Sequence, residues 1–192
     1  MNLTHIKEKL EKAGVKFAPG LTPAELNRIE VRFGFRFPSD LSAFLGHALP
    51  VLAGWPDWRH PERIQPWIFS PLEGILFDVE HNAFWMKDWG PRPVDLQAAF
   101  TIATMHIGNA PKLIPVYSHR YMPDRPHEAG NPVLSVHQTD IIYYGLDLED
   151  YLENEFGFPK NDFKAKRGFA NQPAVRKIEF WSILVENDDA TN

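Results

Sequence analysis

The chain has 192 residues, 20 Lys and Arg against 25 Asp and Glu, and no cysteine. Such a length suits one compact domain. A net charge of −5 argues against a dedicated nucleic-acid binder or a domain held on anionic lipid, both of which need a dominant positive field. The absence of cysteine excludes disulfide scaffolds, thiolate zinc sites, iron–sulfur clusters and cysteine nucleophiles.

Two residue types are in excess. Proline numbers 17, and 13 of these lie between Pro38 and Pro132. Five of the six tryptophans fall between Trp55 and Trp89. The first ten residues carry charges where a leader peptide would carry an apolar run, and the two longest uncharged stretches, 41–56 and 96–111, contain His and Pro. The expectation is a cytoplasmic protein with no targeting or membrane segment.

In chain order, Leu3, Ile6 and Leu10 recur on one helix face, with Gly14 as the stop. Thr22-Pro23-Ala24-Glu25 reads as a capping box with proline at the first helical position. Leu26, Ile29 and Phe33 form that helix's apolar stripe, and Gly34 closes it. Phe35–Pro38 reads as extended. Ser39 is the expected cap of a third helix burying Leu41, Phe44 and Leu45.

Between Pro50 and Pro71 five prolines punctuate the chain, which predicts loop and short extended pieces packed down through Trp55, Trp58 and Trp67. Ser70-Pro71-Leu72-Glu73 predicts a new helix start, running through Val79 and stopping at Asn82. Ala83–Met86 reads as a strand and Asp95–Ile107 as a helix burying Leu96, Ala99, Phe100 and Ala103. Strands are predicted over Leu113–Tyr121, Val133–His137 and Ile141–Tyr144. In the first of these, Tyr117 and His119 are expected on one face, Val116 and Arg120 on the other. Leu148, Tyr151, Leu152 and Phe156 mark an acidic helix. Residues 157–177, with six Lys and Arg against one Asp, read as a basic surface segment, and 178–186 as a C-terminal helix. Helices at both ends and strands between them define an α+β class, a single domain over 1–192 with a curved, mainly antiparallel sheet flanked by helices.

The catalytic vocabulary is thin. No two glycines are closer than six positions, so no phosphate-cradling glycine loop exists. There is no Gly-x-Ser-x-Gly elbow, no His-Glu-x-x-His and no calcium loop. The polar cluster His119, Arg120, Asp124, Arg125, His127, Glu128, His137 and Asp140 remains. His119, His127, His137 and Asp140 have the ligand chemistry of a zinc-, iron- or nickel-dependent hydrolase. The alternative is a structural network around the proline-rich loop. The acids of 147–155 offer a carboxylate face for a basic partner, or else a solvated face. The tryptophan cluster offers a stacking platform, or else fills gaps in a proline-rich wall.

Several strings in order resemble a known family. Leu21-Thr22-Pro23-Ala24-Glu25-Leu26, Ile29-Glu30, Phe33–Leu41 and Phe44-Leu45 resemble the opening of the SUKH superfamily, the Smi/Knr-type group of fungal cell-wall-assembly regulators and bacterial toxin-immunity proteins. Pro71–Glu80, Phe84-Trp85, Trp89–Pro93, Ala110–Pro123 and Gly130–Gly145 continue the likeness, which covers residues 20–156; Phe180-Trp181-Ser182 fits too.

The resemblance implies an α+β fold with a curved sheet, no catalytic residues and no cofactor. It implies a non-enzymatic domain that binds a protein partner, such as a toxin encoded nearby, or an intracellular regulatory scaffold. No nucleic-acid or membrane partner is expected. The binding residues it nominates are Trp85, Trp89, His119, Arg120, Tyr121, Asp140, Tyr143 and Tyr144. Arg, Trp and Tyr are also the types that dominate binding hot spots.

Overall fold

Consecutive strand positions are both apolar at Leu113-Ile114, Tyr121-Met122 and Val133-Leu134. Side chains alternate across a strand, so such pairs require apolar cover on both faces of a sheet. The computed structural model, which describes residues 1–157 and 174–189, provides that cover. Four strands, β3 (Leu113–Tyr117), β4 (Arg120–Pro123), β5 (Val133–His137) and β6 (Asp140–Gly145), form an antiparallel meander in that order.

The first face carries Ile114, Val116, Met122 and Val133. It packs on α1 (Leu3–Lys12), α2 (Pro23–Phe33), α3 (Ser39–His47) and α6 (Leu148–Glu155) through Ile6, Leu10, Ile29, Phe44 and Tyr151. The second face carries Leu113, Tyr121, Leu134, Val136 and Ile141. It packs on α4 (Pro61–His81), α5 (Leu96–Asn109) and α7 (Trp181–Asp189) through Ile75, Val79, Ala99, Ala103, Trp181 and Leu184. The architecture is α+β, with helices on both sides of the antiparallel sheet. No described helix is long and apolar enough to cross a membrane.

Helix starts follow local chemistry on the first face. Glu25 N–H donates to Thr22 Oγ1 at 3.2 Å while Thr22 N–H donates to Glu25 Oε2 at 2.8 Å, which completes the capping box. Gly34 closes α2 at φ 67°, a left-handed conformation that glycine adopts without strain. α6 is capped by the Asp147 carboxylate, which accepts Asp150 N–H at 2.8 Å. The expected Ser39 cap is corrected. Ser39 is itself the first helical residue, Pro38 holds the cap position and no side chain caps the turn. A two-stranded sheet joins β1 (Phe17–Pro19) to β2 (Ala48–Pro50), with Phe17 opposite Pro50. Its three-residue strands, each ending in proline, gave no strand pattern to read.

The second face departs most from expectation. Residues 61–71 are not loop, and Ser70 does not start a helix. Pro61 opens a single 21-residue helix that contains Pro66 and Pro71. A proline inside a helix lacks the N–H that would bond the carbonyl four residues back, which for Pro71 is that of Trp67. The Tyr121 hydroxyl of β4 donates to that carbonyl instead, at 3.1 Å. A tertiary donor replaces the missing local one.

Ala83–Met86 is not a strand but an irregular crossing with no ladder partner; Ala83 sits at φ 54° and Phe84 N–H returns to the Asp78 carbonyl at 3.0 Å. The long strand predicted over Leu113–Tyr121 is a hairpin that turns at Ser118-His119, with Ser118 at φ 49°. Tyr117 and His119 therefore do not share a strand face.

α7 begins at Trp181 rather than 178 and ends at Asp189. Ile178 and Phe180 precede it and are buried. Of the basic segment 157–177, residues 158–173 lie outside the described residues. Arg176 is described, and it is engaged internally: Nη1 donates to Asn131 Oδ1 at 2.7 Å, and Nη2 lies 3.2 Å from Glu128.

Candidate functional site

The meander decides which nominated residues meet. The β3–β4 turn holding His119 and the β5–β6 turn between His137 and Asp140 lie at one end of the sheet, and His137 pairs with Asp140 across its hairpin. His127 lies on the β4–β5 connection, at the opposite end, where its Nδ1 is 2.7 Å from the Asp124 carbonyl. The four residues of the metal-hydrolase alternative are thus divided between two ends of the sheet. Among the described residues no group of three or more His, Asp or Glu side chains is gathered as a metal would require.

Arg120 is the centre of the nominated binding residues. Its guanidinium lies 3.8 Å over the Tyr144 ring, Nη1 donates to Ser135 Oγ at 2.9 Å, and Nε sits 3.4 Å from Glu155. Buried beside them are the Arg120 Nε, the Glu155 Oε2 and the Tyr151 hydroxyl, none with a hydrogen-bond partner. Burial, then the Glu155 carboxylate, pushes the Tyr151 hydroxyl far above its ordinary value. Desolvation, then the Arg120 cation, lowers the His119 pKa below its ordinary value.

The other nominated residues are mostly internal. Tyr121 and Trp89 are buried in the second core. Trp85 donates Nε1–H to the Gly90 carbonyl at 2.7 Å and stands edge-on to Trp89. The Tyr143 hydroxyl donates to Ser182 Oγ at 2.6 Å, tying β6 to α7. Of the nominated set only His119 and Asp140 are exposed.

The acidic helix is similarly engaged. Asp147 caps it, Asp150 Oδ2 accepts Leu146 N–H at 3.0 Å, Glu153 is buried 3.7 Å from Lys9 Nζ, and Glu155 faces Arg120. It is neither a free carboxylate face nor a fully solvated one. The tryptophans support the wall reading: Trp55 and Trp58 are buried in the first core, and Trp55 stacks on Phe156 with ring centroids 5.6 Å apart.

A different region has the character of a surface for a partner. α2 buries Ile29 and leaves Asn27, Arg28, Val31 and Arg32 outside, with Val31 75% exposed. Three depressions surround this crest. One of about 520 Å³ lies between α2 and the Trp58–Pro61 stretch, with Arg28, Val31 and Arg32 on its wall. A second, about 530 Å³, runs from Val31 and Arg36 to Lys112 and Arg125. The third, about 350 Å³, is mostly apolar, lined by Phe33, Ile68, Phe69 and Leu72 with Arg32 and Lys112 at its edge.

Acids near these depressions are already engaged. Glu25 is hydrogen-bonded by Arg59 Nε at 2.8 Å, and Glu30 accepts Phe37 N–H at 2.9 Å. Asp124 is buried, accepts Lys112 N–H at 2.8 Å and has its pKa raised by that burial. Among the described residues no acid stands within ion-pair distance of Arg28, Arg32 or Arg36. The apolar stripe Leu26, Ile29 and Phe33 marks only the buried side of α2 and says nothing of this outer face. The available signal was a valine between two arginines on the outer side of a well-capped helix.

No family model, no curated protein and no solved structure matches the chain.

Proposed function

We propose that this chain is a non-enzymatic protein-binding domain of the cytoplasm, acting in the manner the SUKH-like strings imply: an immunity protein that binds and neutralises a partner toxin. One observation carries the reading. Val31 of α2, 75% exposed, lies among arginines with no ion-pair partner among the described residues, and three depressions adjoin that crest. Arginine beside a concavity is a usual constituent of a binding hot spot. The polar groups of Arg120, Glu155 and Tyr151 that lack hydrogen-bond partners are instead enclosed between β4, β6 and α6.

The test is co-expression with the product of the neighbouring gene, followed by copurification of the untagged partner and a growth assay. Stoichiometric copurification with rescue of growth supports the reading. A toxic neighbour that neither copurifies nor is neutralised contradicts it.

A further inference from the structure

Two arginines on α2, Arg28 and Arg32, stand four positions apart, and Arg36 follows just beyond the helix. Like charges at this helical spacing destabilise an isolated helix. Arg32 gains from its place in the last turn and from the Phe33 ring 5.8 Å away, but among the described residues no acid pairs with either arginine, because the nearby Glu25, Glu30 and Asp124 are bonded elsewhere. The cations flank apolar surface: Val31 at the crest, and Phe69, 45% exposed, in the third depression. This cationic face belongs to a chain whose net charge is −5.

We infer that the α2 face docks an acidic, amphipathic segment of a partner protein, its carboxylates meeting Arg28, Arg32 and Arg36 and a bulky apolar side chain entering the groove at Phe33, Ile68 and Phe69. This rests on the protein-binding reading above and gives the partner its chemistry. The carboxylates of such a segment supply counter-charges that no described residue supplies, and arginine is suited to receive them in bidentate pairs. The apolar groove decides against a nucleic acid or a lipid headgroup. Neither a phosphate polymer nor a lipid headgroup has an apolar side chain to place in that groove.

The experiment uses the full chain and fluorescein-labelled synthetic helical peptides, read by anisotropy. A Glu/Leu peptide is expected to bind, whereas a Lys/Leu peptide and a Glu/Ser peptide bind at least about tenfold more weakly. The triple variant Arg28→Glu, Arg32→Glu, Arg36→Glu is expected to lose about tenfold or more in affinity, and Phe69→Ser several-fold. The control Lys16→Glu, Lys87→Glu, at exposed lysines elsewhere, leaves affinity unchanged. Should the triple variant fail to fold, Arg28→Gln with Arg36→Gln makes the same comparison with a smaller loss.

The inference is overturned if the Glu/Leu peptide does not bind, or if its binding survives charge reversal. It is equally overturned if the triple variant instead abolishes tighter binding to single-stranded DNA, to phosphatidylserine vesicles or to a second copy of the chain. A neighbouring toxin neutralised as well by the triple variant as by the parent chain would overturn this surface and leave the protein-binding reading standing.

Discussion

Two regions of the molecule hold its conspicuous arginines, and they use them in opposite ways. At one end of the sheet Arg120 covers Tyr144, bonds Ser135 and faces Glu155, so its charge is consumed inside the fold. On α2 and just beyond it, Arg28, Arg32 and Arg36 are exposed beside Val31, with no acid within ion-pair distance among the described residues. Residue type alone does not separate these cases. A strand between two helical layers has both faces covered, so a polar side chain there must find an internal partner. A helix has an outer face that packing leaves free. Substitution in the first region should therefore register as stability, and in the second as affinity.

The largest expected effect is at Tyr151, fully buried between the sheet and the first-face helices. Tyr151→Ala should cost about 3–5 kcal/mol in denaturant unfolding. Tyr151→Phe should cost little or be stabilising, because it removes a buried hydroxyl that has no partner. Arg120→Ala comes next, at about 2–4 kcal/mol, since it deprives Glu155 of its cation and uncovers Tyr144. An Arg120→Ala protein with normal stability and impaired partner binding would break the comparison.

Tyr121→Phe should cost about 1–2 kcal/mol by freeing the Trp67 carbonyl. That penalty should shrink in a Pro71→Ala background, where a backbone N–H is restored within reach of the same carbonyl. A double-mutant cycle reads the coupling directly. The α2 arginines come last: Arg28→Gln and Arg36→Gln should each change stability by less than about 0.5 kcal/mol.

The pH dependence on the α2 side has a defined sign. The Arg59 side-chain hydrogen bond, followed by the Thr22 backbone and hydroxyl, lowers the Glu25 pKa from its ordinary 4.5 to about 2. A lowered carboxyl pKa stabilises the fold above the unfolded value and loses that contribution as pH falls through the folded one. Melting midpoints of the parent chain and Glu25→Gln should therefore differ above about pH 4.5 and converge as pH falls to about 2.

Legibility in the sequence follows the same physical division. α2 is legible because its start is written locally, as a capping box at Thr22, and α5 because of the spacing of its apolar positions. The core positions Leu41, Phe44 and Leu45 were readable from their spacing. α4 was not, because its continuity through Pro71 depends on a hydroxyl 50 residues away in the chain, from Tyr121. The β3–β4 hairpin was hidden because Ser118 takes a left-handed conformation without the glycine or asparagine that would have announced a turn. The nominated binding residues come from the family-like strings, and neither a string nor a residue type says whether a neighbour has already claimed the group. Only the three-dimensional arrangement shows that Arg120 is occupied and Arg28 is not.

The most direct test is a backbone amide chemical-shift map of the isotopically labelled full chain during titration with the Glu/Leu peptide. The account predicts that the largest shifts cluster at Arg28, Val31, Arg32, Arg36 and Lys112, with His119, Asp140 and Tyr144 unmoved. Shifts centred on His119, Asp140 and Tyr144 with α2 silent would contradict it and return the binding surface to the end of the sheet.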